Sequence, residues 1–221
     1  MDIVVYSPVW FFGYDSICEL ISMFITFFIG VYAYRIFKLS GQRKYKFLYL
    51  SFILLGIAFL AKSITNWIIY KEWVTQQLYV GKVIQLYALY NLGYLIHVVL
   101  ALSAYMLLVL LLWDVRDRRV ISLSFIFVIM MTILTEQVFA SFHIISFILL
   151  GFICAEFWKN ARKTKKKSSY FVFAGFAVLM LSQLVFVFIN RLPAFYVAGE
   201  IVQLAGYVLL LITLLSIFGK K

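Results

Sequence analysis

The chain has 221 residues, 65% of them hydrophobic and 13% charged, with a formal net charge of +11 and a mean hydropathy of +1.02. A water-soluble fold of this length needs a polar exterior that such a composition does not supply. A bilayer removes the need, and at roughly 20 apolar residues per spanning helix the chain holds about seven spans with short loops.

The opening Met1-Asp2-Ile3 lacks the basic start of a signal peptide, so the first apolar run is expected to stay as an anchor. Residues 1–16 form an outer segment. Its aromatic stretch from Val4 to Tyr14 is expected to lie on the surface, because Trp10 and its Phe neighbours suit headgroup depth. The first span runs from Ile17 to Phe37 and the second from Phe47 to Ile69. A polar stretch from Lys71 to Lys82, with Trp73 and Tyr79, reads as interfacial. The third span covers Tyr90 to Trp113 and ends in the charged turn Asp114–Arg119.

Val120 to Trp158 is one apolar run broken only at Thr135-Glu136-Gln137. A single helix of that length would be about 58 Å long, well beyond a bilayer, so it divides near Glu136 into spans four and five. The basic block Lys159–Lys167 follows. Span six takes Ser168 to Ile189, the turn is Asn190-Arg191-Leu192-Pro193, and span seven is Tyr196 to Phe218.

Orientation follows from counting. With the N-terminus outside and the C-terminus in the cytoplasm, sixteen of the twenty Lys and Arg fall on inner segments, at Arg35–Lys46, Arg116–Arg119, Lys159–Lys167 and Lys220–Lys221. Only Lys71, Lys82 and Arg191 fall outside, and Lys62 lies within a span, so every loop obeys the positive-inside rule. These clusters are topology signals, not the stripe of a groove-binding surface, and nucleic acid is not an expected partner. The expected fold class is all-α: a polytopic bundle of seven transmembrane helices in the cell membrane.

The two halves align. An offset of 121 pairs Gly30 with Gly151, Phe37 with Trp158, Phe52 with Phe173 and Lys62 with Gln183. An offset of 106 pairs Tyr90 with Tyr196, Gly93 with Gly199 and His97 with Gln203. Residues 17–113 then form a first three-helix unit, 120–136 a linker helix and 139–218 a second unit. This three-one-three plan with parallel repeats resembles the SWEET class of sugar transporters and, more distantly, the microbial opsins. The resemblance implies a bundle of two triplets about an axis along the membrane normal. The chain departs from both patterns, having no Pro-Gln pair in span one or five and no lysine in span seven before Lys220, so neither family's ligand carries over.

Polar side chains inside spans are costly, normally face a bundle interior, and are functional candidates by default. Lys62 is the clearest, with Asn66 one turn on along the same face. Tyr94 and His97 recur at helical spacing on span three, as do Glu200 and Gln203 on span seven; span six offers Gln183. Lys62, His97 and Gln203 each lie roughly 10–12 Å from the outer ends of their spans. They are read as one polar layer lining an outward-opening cavity, with Glu200 or Glu136 balancing Lys62. Each candidate has a plainer role: Lys62 could snorkel to the surface, and His97 and Gln203 could be interhelical hydrogen-bond glue. Glu136 and His143, near the outer surface, are expected to be solvated.

Cys18 and Cys154 lie inside apolar runs and form neither a disulfide framework nor a metal set. No catalytic signature, metal set or cofactor motif is present. The expected function is binding and transport of a small polar solute. A receptor-like sensor signalling through its basic inner loops to a separate cytoplasmic partner comes second, and a scaffold subunit of a membrane complex third. The remaining expected partner is the bilayer itself, whose headgroups suit the Lys159–Lys167 block.

Overall fold

A computed structural model describes residues 7, 8, 10, 11, 13–74, 80–135, 137–189 and 191–218. The described residues form seven α-helices: α1 (Tyr14–Ser40), α2 (Arg43–Val74), α3 (Val80–Leu112), α4 (Arg118–Ile133), α5 (Val138–Thr164), α6 (Lys167–Val187) and α7 (Ala194–Phe218). Helices are the expected outcome, because backbone groups out of reach of water must bond within their own segment. No proline interrupts the chain between Pro8 and Pro193. Pro193 stands just ahead of α7, where its missing N–H costs nothing.

All except α4 are long and apolar enough to cross a membrane. α4 has 16 residues, roughly 24 Å of helix, and falls short of a standard span. The break between α4 and α5 falls at residues 134–137, where the sequence places it. Helix extends into both ends of the stretch from Lys71 to Lys82, since α2 continues to Val74 and α3 starts at Val80, while residues 75–79 lie outside the described residues. Lys71 and Glu72 are good helix formers and let α2 run on past its apolar part.

Tight turns join the helices. α1 ends at Gly41 in the left-handed conformation (φ +64°), whose N–H donates to Phe37 O, and α5 ends the same way at Lys165 (φ +53°), bonded to Ala161 O. Asp117 caps α4 by accepting from Arg119 N–H at 2.8 Å. In the same turn Asp114 accepts from Arg116 at 2.7 Å, and that hydrogen bond and charge hold its exposed carboxyl below the usual range.

Helix contacts close a ring in the order α1, α2, α3, α5, α6, α7 and back to α1, with α4 outside against α3 and α5. α3 and α5 run parallel: Tyr94 meets Phe139, His97 meets Phe142, and Trp113 meets Phe152 further along both. Large side chains fill the middle of the ring, among them Phe59, Tyr105 and Tyr207. Apolar burial gains little against lipid tails, so close packing carries the association, and small residues permit it. A Cβ on Gly93 would lie 2.8 Å from Thr65 Cβ, and one on Gly199 would lie 2.7 Å from the Phe186 ring.

Candidate functional site: a buried polar belt

The turns after α1, α3 and α5 lie at one end of the bundle, the basic end. Near the opposite end, three of the helices that start there bury a polar residue within their first two turns: Glu19 on α1, His143 on α5 and Glu200 on α7. Lys62 reaches into this layer from α2. Its Nζ lies 2.8 Å from Glu19 Oε1 and 2.9 Å from Glu200 Oε1, with the two carboxylates essentially inaccessible and the lysine side chain 15% exposed. The Tyr196 ring stands 5.8 Å from the same Nζ, a cation–π distance. The ammonium is therefore held inward between carboxylates of two helices, and the snorkelling alternative is overturned.

Asn66 Nδ2 donates to both Glu19 oxygens, at 3.0 and 3.2 Å. One residue from Lys62, Ser63 Oγ donates to Ser16 O at 3.0 Å, knitting α2 to the start of α1. Ser16 is itself fully buried, and its hydroxyl has no hydrogen-bond partner among the described residues. Asp15 sits in the first turn of α1, where its carboxylate accepts from Gly13 N–H and Ser16 N–H. That position matches the positive end of the helix dipole.

Glu200 and Gln203 share a face of α7, and through them the layer continues. Gln183 Nε2 donates to Gln203 Oε1 over a long 3.5 Å and to Ser182 Oγ at 3.3 Å, and Gln183 Oε1 accepts from His143 Nδ1–H at 2.8 Å. His143 is buried, not solvated as expected from its place near the start of span five. Phe139, Phe142 and Phe186 wall its ring at centroid distances of 4.4, 4.8 and 4.5 Å. His97 Nδ1–H donates to Ala58 O at 3.1 Å. Tyr94 lies beside it, 6.2 Å between ring centroids, and joins the same aromatic layer.

Of the residues singled out in the sequence, Lys62, Asn66 and Glu200 share one cluster, and His143, Gln183 and Gln203 a second. His97 and Tyr94 lie between α2 and α5. Glu136, the other proposed counter-ion, lies outside the described residues. Glu19 was missed. The signal was available, since it is an acid inside the first apolar run, but it sits only two residues past that run's start, where an acid is equally compatible with a solvated end. The N-terminal stretch also needs correction: Trp10 is exposed, but Phe11 is buried and packs on Tyr196 at 6.4 Å. The Phe11 ring joins the buried cluster of Phe139, Phe186, Ile189, Tyr196 and Val197.

Towards the basic end polar groups thin out. The Tyr105 and Tyr207 hydroxyls meet at 3.3 Å, and around and beyond them the core is Leu55, Leu108, Leu150, Ile153 and Leu179. Among the described residues no group of His, Cys, Asp or Glu has the makings of a metal site.

No family model matches the chain, and neither a curated protein nor a solved structure shows significant similarity to it.

Proposed function

We propose that the protein is a membrane carrier for a small polar solute. The solute binds at the Glu19–Lys62–Glu200 trio, the basic end faces the cytoplasm and the belt faces outward. The observation that carries this reading is the trio itself. Three ionisable groups buried in an apolar bundle cost several kcal/mol each in desolvation. A bundle that only needed helix glue could use hydroxyls and amides, which hold helices together for far less. Orientation rests on the positive-inside rule, with the Lys and Arg clusters at one end.

A two-triplet plan gives the trio a mechanism. Supporting a duplication, the left-handed caps Gly41 and Lys165 stand 124 residues apart, as do the helix starts Arg43 and Lys167. At that shift Phe27 corresponds to Gly151 and Gly56 to Met180; Phe27 meets Gly56 between α1 and α2, and Met180 meets Gly151 between α5 and α6. At a shift of 102, Tyr94 corresponds to Tyr196, and Tyr105 to Tyr207, the residue it touches. Glu19 then corresponds to His143 and Lys62 to Phe186. The ion pair of one triplet is an imidazole stacked on a phenyl ring in the other.

Glu19 and Lys62 belong to the first triplet and Glu200 to the second. Rocking of one triplet against the other makes or breaks the Lys62–Glu200 bond, so a solute that competes for either partner is tied to the state of the bundle. Uptake by proteoliposomes across a panel of small cationic, neutral and anionic solutes tests the proposal. At least one should accumulate, and Glu200→Gln should slow it by about 10- to 100-fold, the worth of a charged hydrogen bond. A panel with no uptake in reconstituted, correctly folded protein would count against transport.

The apolar half beyond Tyr105 and Tyr207 favours a second reading, a sensor that binds a ligand in the belt and signals through its basic loops to a cytoplasmic partner. Ligand binding without uptake would select it.

A further inference from the structure

Lys62 shows what the trio accepts. Its ammonium sits between two carboxylates and near an aromatic ring, at 2.8, 2.9 and 5.8 Å. With both carboxylates ionised, the trio carries a net charge of −1. Asp15 is a separate carboxylate, held by the α1 N-terminus and two backbone N–H groups, and its charge adds to the negative side of the belt. The Ser16 hydroxyl, without a partner among the described residues, fully buried and one turn before Glu19 on the same face of α1, offers a further acceptor. Phe11, Tyr196 and Phe186 complete an aromatic wall. Two carboxylates, a free hydroxyl and aromatic faces recognise an ammonium group.

We propose that the solute class is small protonated amines, and that Lys62 is a tethered stand-in whose ammonium fills the site when no amine is bound. Its stem is long and its side chain partly exposed, so on displacement the ammonium swings outward to water. The lysine thereby keeps the carboxylates paired in the empty protein, and an incoming amine exchanges with it one charge for one. This inference rests on the trio being the ligand site.

Calorimetric titration of the purified full chain in detergent, with three probes of one size, tests it. Propylammonium should bind, and propanol and propionate should not. Glu19→Gln and Glu200→Gln should each weaken propylammonium by about tenfold or more. Lys62→Gln should tighten it by about tenfold, because a competitor held at millimolar effective concentration has gone. If Lys62→Gln fails to fold, the wild-type probe series and the two glutamate variants decide alone. Preference for propionate, or propylammonium binding untouched by both glutamate variants, overturns the proposal. Uptake of neutral or anionic solutes alone also overturns it while leaving transport standing. Amine binding with no uptake keeps the amine site and removes the carrier.

Discussion

At the scale of single residues, Lys62 is the side chain on which most depends. Removing one partner from a buried ion pair leaves the other charge without compensation, which costs about 3–5 kcal/mol. Here two carboxylates would be stranded, so Lys62→Met should lose at least that much stability in detergent unfolding titrations. Adding Glu19→Gln and Glu200→Gln to it should recover most of the loss, since neutral amides bury more cheaply than carboxylates. Equal stability of wild type and Lys62→Met would mean that the carboxylates are already neutral or wet. The partners of Lys62 were only half legible beforehand. Glu200 announces itself by its spacing with Gln203 on span seven, and Asn66 by its place one turn from Lys62. Glu19 does not, because a lone acid near the start of an apolar run reads equally as a solvated end. Only the arrival of α2 beside α1 makes it a counter-ion. His143 is the converse case: distance from the span end suggests water, but three phenylalanines brought from α5 and α6 exclude it.

Between helices, the glycines mark where backbones approach. A methyl on Gly93 would run into Thr65 Cβ at 2.8 Å and still closer to its Oγ1, and Thr65 sits on the rigid middle of α2. Gly93→Ala should therefore cost about 1–3 kcal/mol through overpacking. Combining it with Thr65→Gly, which removes the Cβ as well as the hydroxyl and methyl, should relieve much of the clash, giving a coupling energy of about 0.5–3 kcal/mol in a double-mutant cycle. Strictly additive losses would show that α2 and α3 separate freely at this point. Helix existence and order were readable from runs of apolar residues and charged turns. The proposed match between halves has a register that the sequence defines only to within one turn. Offsets of 121 and 124 differ by three residues, and a helix presents nearly the same face after three or four, so periodicity alone cannot choose between them. The left-handed caps at Gly41 and Lys165 stand 124 residues apart, the offset used in the proposal, and no pattern of side-chain types carries that spacing.

For the whole molecule, the parallel course of α3 and α5 constrains the short helix between them. α3 ends at the basic end, and α5 begins at the opposite one, so residues 113–137 must travel the length of the bundle. α4 supplies roughly 24 Å of that path in 16 residues, and the flanking turns at 113–117 and 134–137 make up the rest. Its outward side is apolar, with Leu123, Ile126, Phe127 and Ile133 all more than half exposed, as a helix lying against lipid requires. Cys18 and Cys154 are the only cysteines; replacing them with Ser gives a background for single-cysteine probes. In sealed right-side-out vesicles, an impermeant maleimide should label cysteines placed at Gln137 and Leu192. It should reach cysteines at Gln42, Val115 and Lys166 only after the membrane is opened. Labelling of Gln137 and Val115 from the same side would mean that α4 does not cross. α5 and everything after it would then be inverted, and Glu19 and Glu200 could not meet at Lys62.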